Sequence, residues 1–219
     1  MSTDGPSIVA IENGQFVENC YLVGDDSRGI AVIVDPGEEA GRFLSELRKR
    51  KWSLAAIWLT HAHIDHILGV GAIREAHPGV PIFLHPADRA LYDGLPEQGR
   101  WMGFTGLEVP PPADRALQAG QILEVGDFSF EVRHVPGHSP GHVAFVGHGV
   151  VLGGDVLFNG SIGRTDLPGG DFSALMRSIQ SEFLTLSDST IVYSGHGPET
   201  TIGVERVSNP FLTGAYRLE

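Results

Sequence analysis

Residues 54–66 read LAAIWLTHAHIDH, an apolar run that passes through Thr60 and opens into three histidines and an aspartate. The run has the length and apolar content of a buried strand. In the extended chain that follows, positions i and i+2 share a face, so His61 and His63 can grip one metal ion together. Asp65 and His66 come where the chain turns into an expected helix, ILGVGAIREA, and their side chains can reach a second ion beside the first. One such cluster cannot fill two coordination spheres, because each ion needs about three protein ligands and an open position for water.

Outward from this segment, three more apolar strands end in the same residue types. EVRHVPG runs into His138, VVLGG into Asp155 and TIVYSG into His196. Strand-end loops are where α/β folds place their chemistry. His138 would complete a three-histidine site with His61 and His63, while His196 would join Asp65 and His66. Asp155, with two carboxylate oxygens, is suited to bridge both ions, and Asp65 and Asp155 are the expected catalytic carboxylates. Of the other histidines, His77, His85 and His148 read as solvated or structural, and His134 and His142 as either structural or orienting.

Strands at SIVAIE, CYLVG and GIAVIVDPG open the chain, and EEAGRFLSELRKRK follows as a surface helix with acids at its start and bases at its end. A strand at VPIFLH and a short helix around ADRALYDGL continue the alternation of a sheet with helices laid on it. Residues 95–116 are rich in Gly and Pro and read as a connection between halves, either a plain linker or one that overhangs a pocket. Strands resume from Gln121, with a helix at DFSALMRSIQSEFLTL (171–186), so the second half repeats the first in outline. The expected organisation is one domain over residues 1–219.

The net charge of −12 repels polyanions and argues against nucleic-acid or anionic-membrane partners; an anionic small substrate needs a local basic patch. No apolar run reaches membrane-spanning length. The opening MSTDGPSIVAIENG does not read as a leader, and the single cysteine, Cys20, excludes an internal disulfide. A reducing cytoplasm is therefore the expected compartment, with Cys20 a buried strand residue.

THAHIDH (60–66), PGHSPGH (136–142), GGDVLF (153–158) and SGHG (194–197) together resemble the metallo-β-lactamase superfamily, in the branch of the glyoxalase II (hydroxyacylglutathione hydrolase) enzymes. The resemblance runs from NCYLVG at residue 19 to NPFL at residue 212, and FNGSIGRTDLPGGD and GHGPETTIGVERVSNPFL are most similar to the short glyoxalase II-like hydrolases. It implies an α/β fold, an αββα sandwich of two mixed sheets flanked by helices, with a dinuclear site at one edge. It implies His61, His63 and His138 for one ion, Asp65, His66 and His196 for the other, and Asp155 between them. It also implies two divalent ions, zinc first and iron or manganese as alternatives, and a glutathione thioester such as S-lactoylglutathione as substrate. Arg164 and the asparagine of FNG (Asn159, next to Gly160) are the expected substrate contacts. The C-terminal helical domain with which full-length glyoxalase II binds glutathione has no counterpart after His196, so the core loops must do that work. Persulfide dioxygenases share this fold, the ligand set and a GRTD segment, and would hold one iron on His61, His138 and Asp155. β-Lactam hydrolysis is a further alternative, set back by the absence of a cysteine at position 155 and of an export signal.

Overall fold

The structure, a computed structural model, describes residues 5–215. Residues 1–4, the head of the MSTDGPSIVAIENG stretch, and residues 216–219 lie outside it. In chain order the first half supplies β1 (Ser7–Asn13), β2 (Glu18–Asp25), β3 (Ile30–Val34), α1 (Ala40–Arg50), β4 (Ser53–Trp58), α2 (Ile64–Ile67), α3 (Val70–Ala76), β5 (Ile82–Leu84), α4 (Arg89–Asp93), α5 (Leu95–Trp101) and β6 (Arg115–Ala116). The second supplies β7 (Ile122–Val125), β8 (Phe128–His134), β9 (Val143–Gly147), β10 (Val150–Gly154), β11 (Leu157–Phe158), β12 (Ser161–Ile162), α6 (Phe172–Ser178), β13 (Ile191–Ser194), β14 (Thr200–Thr201) and α7 (Ile202–Ser208). Each half makes one six-stranded mixed sheet, ordered β1-β2-β3-β4-β5-β6 and β14-β13-β10-β9-β8-β7. The parallel pairs are β3–β4, β4–β5, β5–β6 and β10–β13.

The alternation of side chains along each strand builds the sandwich. Leu22, Ile33 and Ile57 face outward beneath α1 and α3, where they meet Phe43, Leu47, Val70 and Ile73. Their neighbours Val23, Val32, Val34 and Trp58 face the other way and pack on Phe130, Val132, Phe145 and Leu152 of the second sheet. Val151 and Val192 point to the far side, under Leu175, Ile179 and Phe183. Three apolar layers thus separate helix, sheet, sheet and helix, and this is why the central strands read as unbroken apolar runs. Cys20 is fully buried on β2, as expected.

Trp58 sits in the middle layer, 1% exposed, with its ring 5.9 Å from Phe130 and 5.1 Å from Phe145. Trp58→Ala should lower stability by about 3–5 kcal/mol, seen as a fall of roughly 10 °C in Tm. A fall under about 3 °C would mean that the two sheets close over the gap.

Three expectations need correction. The helix after His63 is two short helices, because Gly69 packs its backbone onto the Pro36–Gly37 turn, closer than a Cβ would permit, and donates its N–H to Pro36. Residues 95–116 contain helix α5, where Pro96 falls in the first turn and so does not break it. The helix from 171 changes to a wider turn over Ile179–Phe183. Helix α7, capped by Thr201 accepting from the Val204 N–H, was not foreseen.

Candidate metal centre

The C-terminal ends of β4, β8, β10 and β13 lie on one edge of the sandwich, and the segments leaving them carry all seven candidate ligands, Asp65 and His66 on the short helix α2. Ligand atoms of His61, His63 and His138 lie within 4.8 Å of one another, and so do those of Asp65, His66 and His196. Asp155 stands between the two groups, 3.4 Å from His138 Nε2 on one side and 3.5 Å from both His66 Nε2 and His196 Nε2 on the other.

The outer ring nitrogens are already engaged. Thr60 donates its hydroxyl to Asp35 (2.6 Å), so its oxygen is left to accept from His61 Nδ1 at 3.0 Å. His66 Nδ1 donates to the same Asp35 oxygen at 3.0 Å, and His138 Nδ1 donates to the Arg164 carbonyl at 2.7 Å. With the Nδ1 protons placed there, Nε2 of His61 and His138 presents a lone pair to the interior. Asp35, which also falls within reach of His61 and His66, therefore orients those rings from outside. It does so from a left-handed backbone conformation, φ 50°.

His61 Nε2, His66 Nε2 and Asp155 Oδ1 are buried and have no hydrogen-bond partner among the described residues. Leaving such atoms unpaired costs about 1–3 kcal/mol each. A divalent cation held by imidazole nitrogens and carboxylate oxygens would satisfy all three, so the residues fit that group.

Burial pushes His61 well below its ordinary pKa, and His63 down to about 3, with neighbouring imidazoles adding to the effect. Both are neutral and ready to ligate. Burial also disfavours charge on His66 and His196, but Asp65 and Asp155 outweigh it and hold both above the usual histidine value. For Asp65 and Asp155 burial acts upward and is overcome by His66, aided by His196 and, at Asp155, by His138, so both carboxyls lie below their usual range. A cation bound here takes the place of the imidazole protons, and its affinity falls as pH drops.

The centre opens into a cleft of about 340 Å³ walled by Phe16, Met102, Phe158, Ile162 and Leu167. Gln98 and Met102, from α5 and the residue after it, show that the 95–116 connection does overhang the cleft. Arg164 is at the rim, its side chain 58% exposed and paired through two hydrogen bonds with Asp166 (2.7 and 2.8 Å). Asn159 does not line the cleft and donates instead to the Glu199 carbonyl at 3.4 Å.

His142 is fully buried, stacks on His61 at 4.6 Å and accepts the Asp155 backbone N–H at 3.0 Å, so it props two candidate ligands. His134 hydrogen-bonds the Pro140 carbonyl at 3.0 Å and stacks on His85. His148 accepts the Ser129 N–H at 3.2 Å, and His77 ends α3, both outside the centre.

Several supports were missed in the sequence. Asp35 ends the VDPG strand and carried the same strand-end cue as Asp155. Asn19 donates to the carbonyls of Ser194 and Gly197 (3.1 and 2.8 Å), tying β2 of the first sheet to the loop that bears His196. Gln98 accepts the Ile64 N–H at 3.0 Å and donates to Ala62 at 2.9 Å, bracing the loop of His61 and His63. No local pattern marks Asn19 or Gln98.

A two-sheet sandwich with histidine and aspartate clusters on one edge defines a class of metal-dependent proteins. The profile of the Metallo-beta-lactamase superfamily matches residues 13–196, and the chain belongs to that superfamily. It is 42% identical over 200 residues to hydroxyacylglutathione hydrolase GloC of Haemophilus influenzae, covering 90% of this chain and 93% of that protein. It is also similar to the crystal structure of the BLEG-1 B3 metallo-beta-lactamase, with TM-score 0.88 and 42% identity over 95% of this chain and 100% of the other. A third likeness is to TTHA1623 in a di-iron-bound form, with TM-score 0.85 and 42% identity over 93% of this chain and 100% of that one. Among the described residues no helix is long and apolar enough to cross a membrane.

Proposed function

We propose that this protein is a dinuclear metal-dependent hydrolase that cleaves a thioester, with acyl-glutathiones such as S-lactoylglutathione as its substrate class. The observation that carries this is the pair of three-residue clusters with Asp155 between them. The likeness to GloC supports the thioester, and the di-iron relative supports two ions. Zinc is the first expectation and iron or manganese the alternatives, since imidazole and carboxylate ligands suit all three.

His61, His63 and His138 would hold one ion, Asp65, His66 and His196 the other, and Asp155 both. Bound ions supply a water acidified to near neutrality and an electrophilic contact for the substrate carbonyl. Asp65, whose carboxylate lines the cleft, turns Oδ2 toward His196 Nε2 (3.2 Å) and His66 Nε2 (3.8 Å) as its ligand atom, which leaves Oδ1 to orient the attacking water and take its proton. The apolar wall excludes competing water from the acyl group. Among the described residues, Gln98, Ser161 and Arg164 are the polar side chains lining the cleft beyond the candidate ligands, and none is an acid that could protonate a leaving group. A thiol, with pKa about 8.5, departs as thiolate without one, whereas an amine does not.

Metal analysis of the purified protein, with parallel assays for S-lactoylglutathione cleavage, oxygen uptake with a persulfide and β-lactam opening, tests this function. Two ions per chain with thioester cleavage is the expected result. One iron with oxygen uptake, or turnover of β-lactam alone, would overturn it.

The Arg164–Asp166 pair is more than half exposed, and solvent screens such pairs, so Arg164 is available to a substrate carboxylate. Arg164→Met should raise KM for S-lactoylglutathione about three- to tenfold, leave Tm within about 2 °C and spare a small uncharged thioester. Equal losses on both substrates together with a lower Tm would assign Arg164 to bracing its loop.

A further inference from the structure

We infer that Asp88 is a positioning residue that sets the spacing between the two loops of the three-histidine half-site, an inference that rests on the metal-centre assignment above. Asp88 ends the single tight turn Pro86–Asp88 that follows β5, and it is fully buried. Its Oδ2 accepts the Ala62 N–H at 3.0 Å and the Ser139 hydroxyl at 2.7 Å, and its Oδ1 accepts the Gly141 N–H at 2.5 Å. Ala62 lies between His61 and His63, and Ser139 directly follows His138. One carboxylate therefore gathers three donors from two ligand loops that leave different sheets.

The seat is shaped for this contact. A Cβ on Gly141 would meet Asp88 N at 2.6 Å and Oδ1 at 2.8 Å, so only glycine lets the second loop approach so closely. Across the same junction His63 Nδ1 and His138 Nε2 come within 2.7 Å of each other. An ionised carboxylate is acceptor-only and can satisfy three converging donors, whereas an amide must turn its NH2 toward at least one of them. Asp88→Asn keeps the volume of the side chain and removes the clamp.

The test uses the His196→Ala background, in which the three-histidine half-site is the one left complete, and measures Zn²⁺ affinity by competition with a chelator. Adding Asp88→Asn should weaken Zn²⁺ binding about tenfold or more, the scale found for groups that orient metal ligands from outside. Val125→Ala, a core truncation on the edge strand β7, is the control for lost stability; it should lower Tm and leave Zn²⁺ affinity within about twofold. Ser139→Ala, which removes a single bond to Oδ2, provides a milder variant should Asp88→Asn not fold, and should weaken Zn²⁺ binding about threefold. An affinity within twofold of the parent in these Asp88 and Ser139 variants, with only Tm lowered, would reduce Asp88 to a structural brace and overturn the inference alone. No Zn²⁺ binding by the wild-type protein would overturn the metal-centre assignment, and this inference with it.

Discussion

Asp155→Ala should lower bound metal below two ions per chain and reduce thioester turnover by about 10³-fold or more. The carboxylate lies 3.4–3.5 Å from Nε2 of His138, His66 and His196, so it reaches candidate ligand nitrogens of both half-sites. Without it two cations would face each other with no anion between them, a repulsion that the low-dielectric surroundings of a 6% exposed residue leave poorly screened. The loss corresponds to roughly 4 kcal/mol of barrier, the range of a metal-centred contribution. Asp155→Asn separates charge from shape, because the amide keeps the volume and loses the negative charge. Metal content by elemental analysis and kcat for S-lactoylglutathione are the measurements. Full metal and full activity in either variant would remove Asp155 from the bridging position.

His196→Ala is expected to leave one tightly held ion and to cut hydrolysis about 10²-fold, a few kcal/mol of lost electrophilic assistance. The side chain is 29% exposed, so its truncation opens no sealed cavity, and Tm should change by little. The three-histidine cluster is untouched and can still hold an ion. The result also separates hydrolysis from oxidation. A mononuclear iron centre on His61, His138 and Asp155 does not use His196, so undiminished turnover with a single iron would favour the dioxygenase alternative.

Much of the architecture was legible because strands and helices carry their own periods. The runs at residues 20–24, 30–34 and 54–59 are apolar on both faces, which is the mark of strands buried between a helix layer and a second sheet. Helix breaks were less legible: the interruption at Gly69 comes from a backbone contact with the distant Pro36–Gly37 turn, and α5 was masked by a proline that a first turn tolerates. Arg164 shows a different limit. Its side chain read as a substrate contact, yet its backbone carbonyl also orients His138, a role that no side-chain pattern can announce.

By itself the sequence determined that His61 and His63 share a face, that Asp65 and His66 follow at a helix start, and that His138, Asp155 and His196 end strands, because each is a matter of residues a few positions apart. Only the tertiary structure decided that those strand ends share one edge, and that Asp35, Asp88 and Asn19 hold the loops around it. It also decided that Phe16 and Met102 wall the cleft while Asn159 turns away. These contacts join segments from 26 to 178 positions apart, and the geometry of two twisted sheets packed face to face, rather than any local period, brings them together.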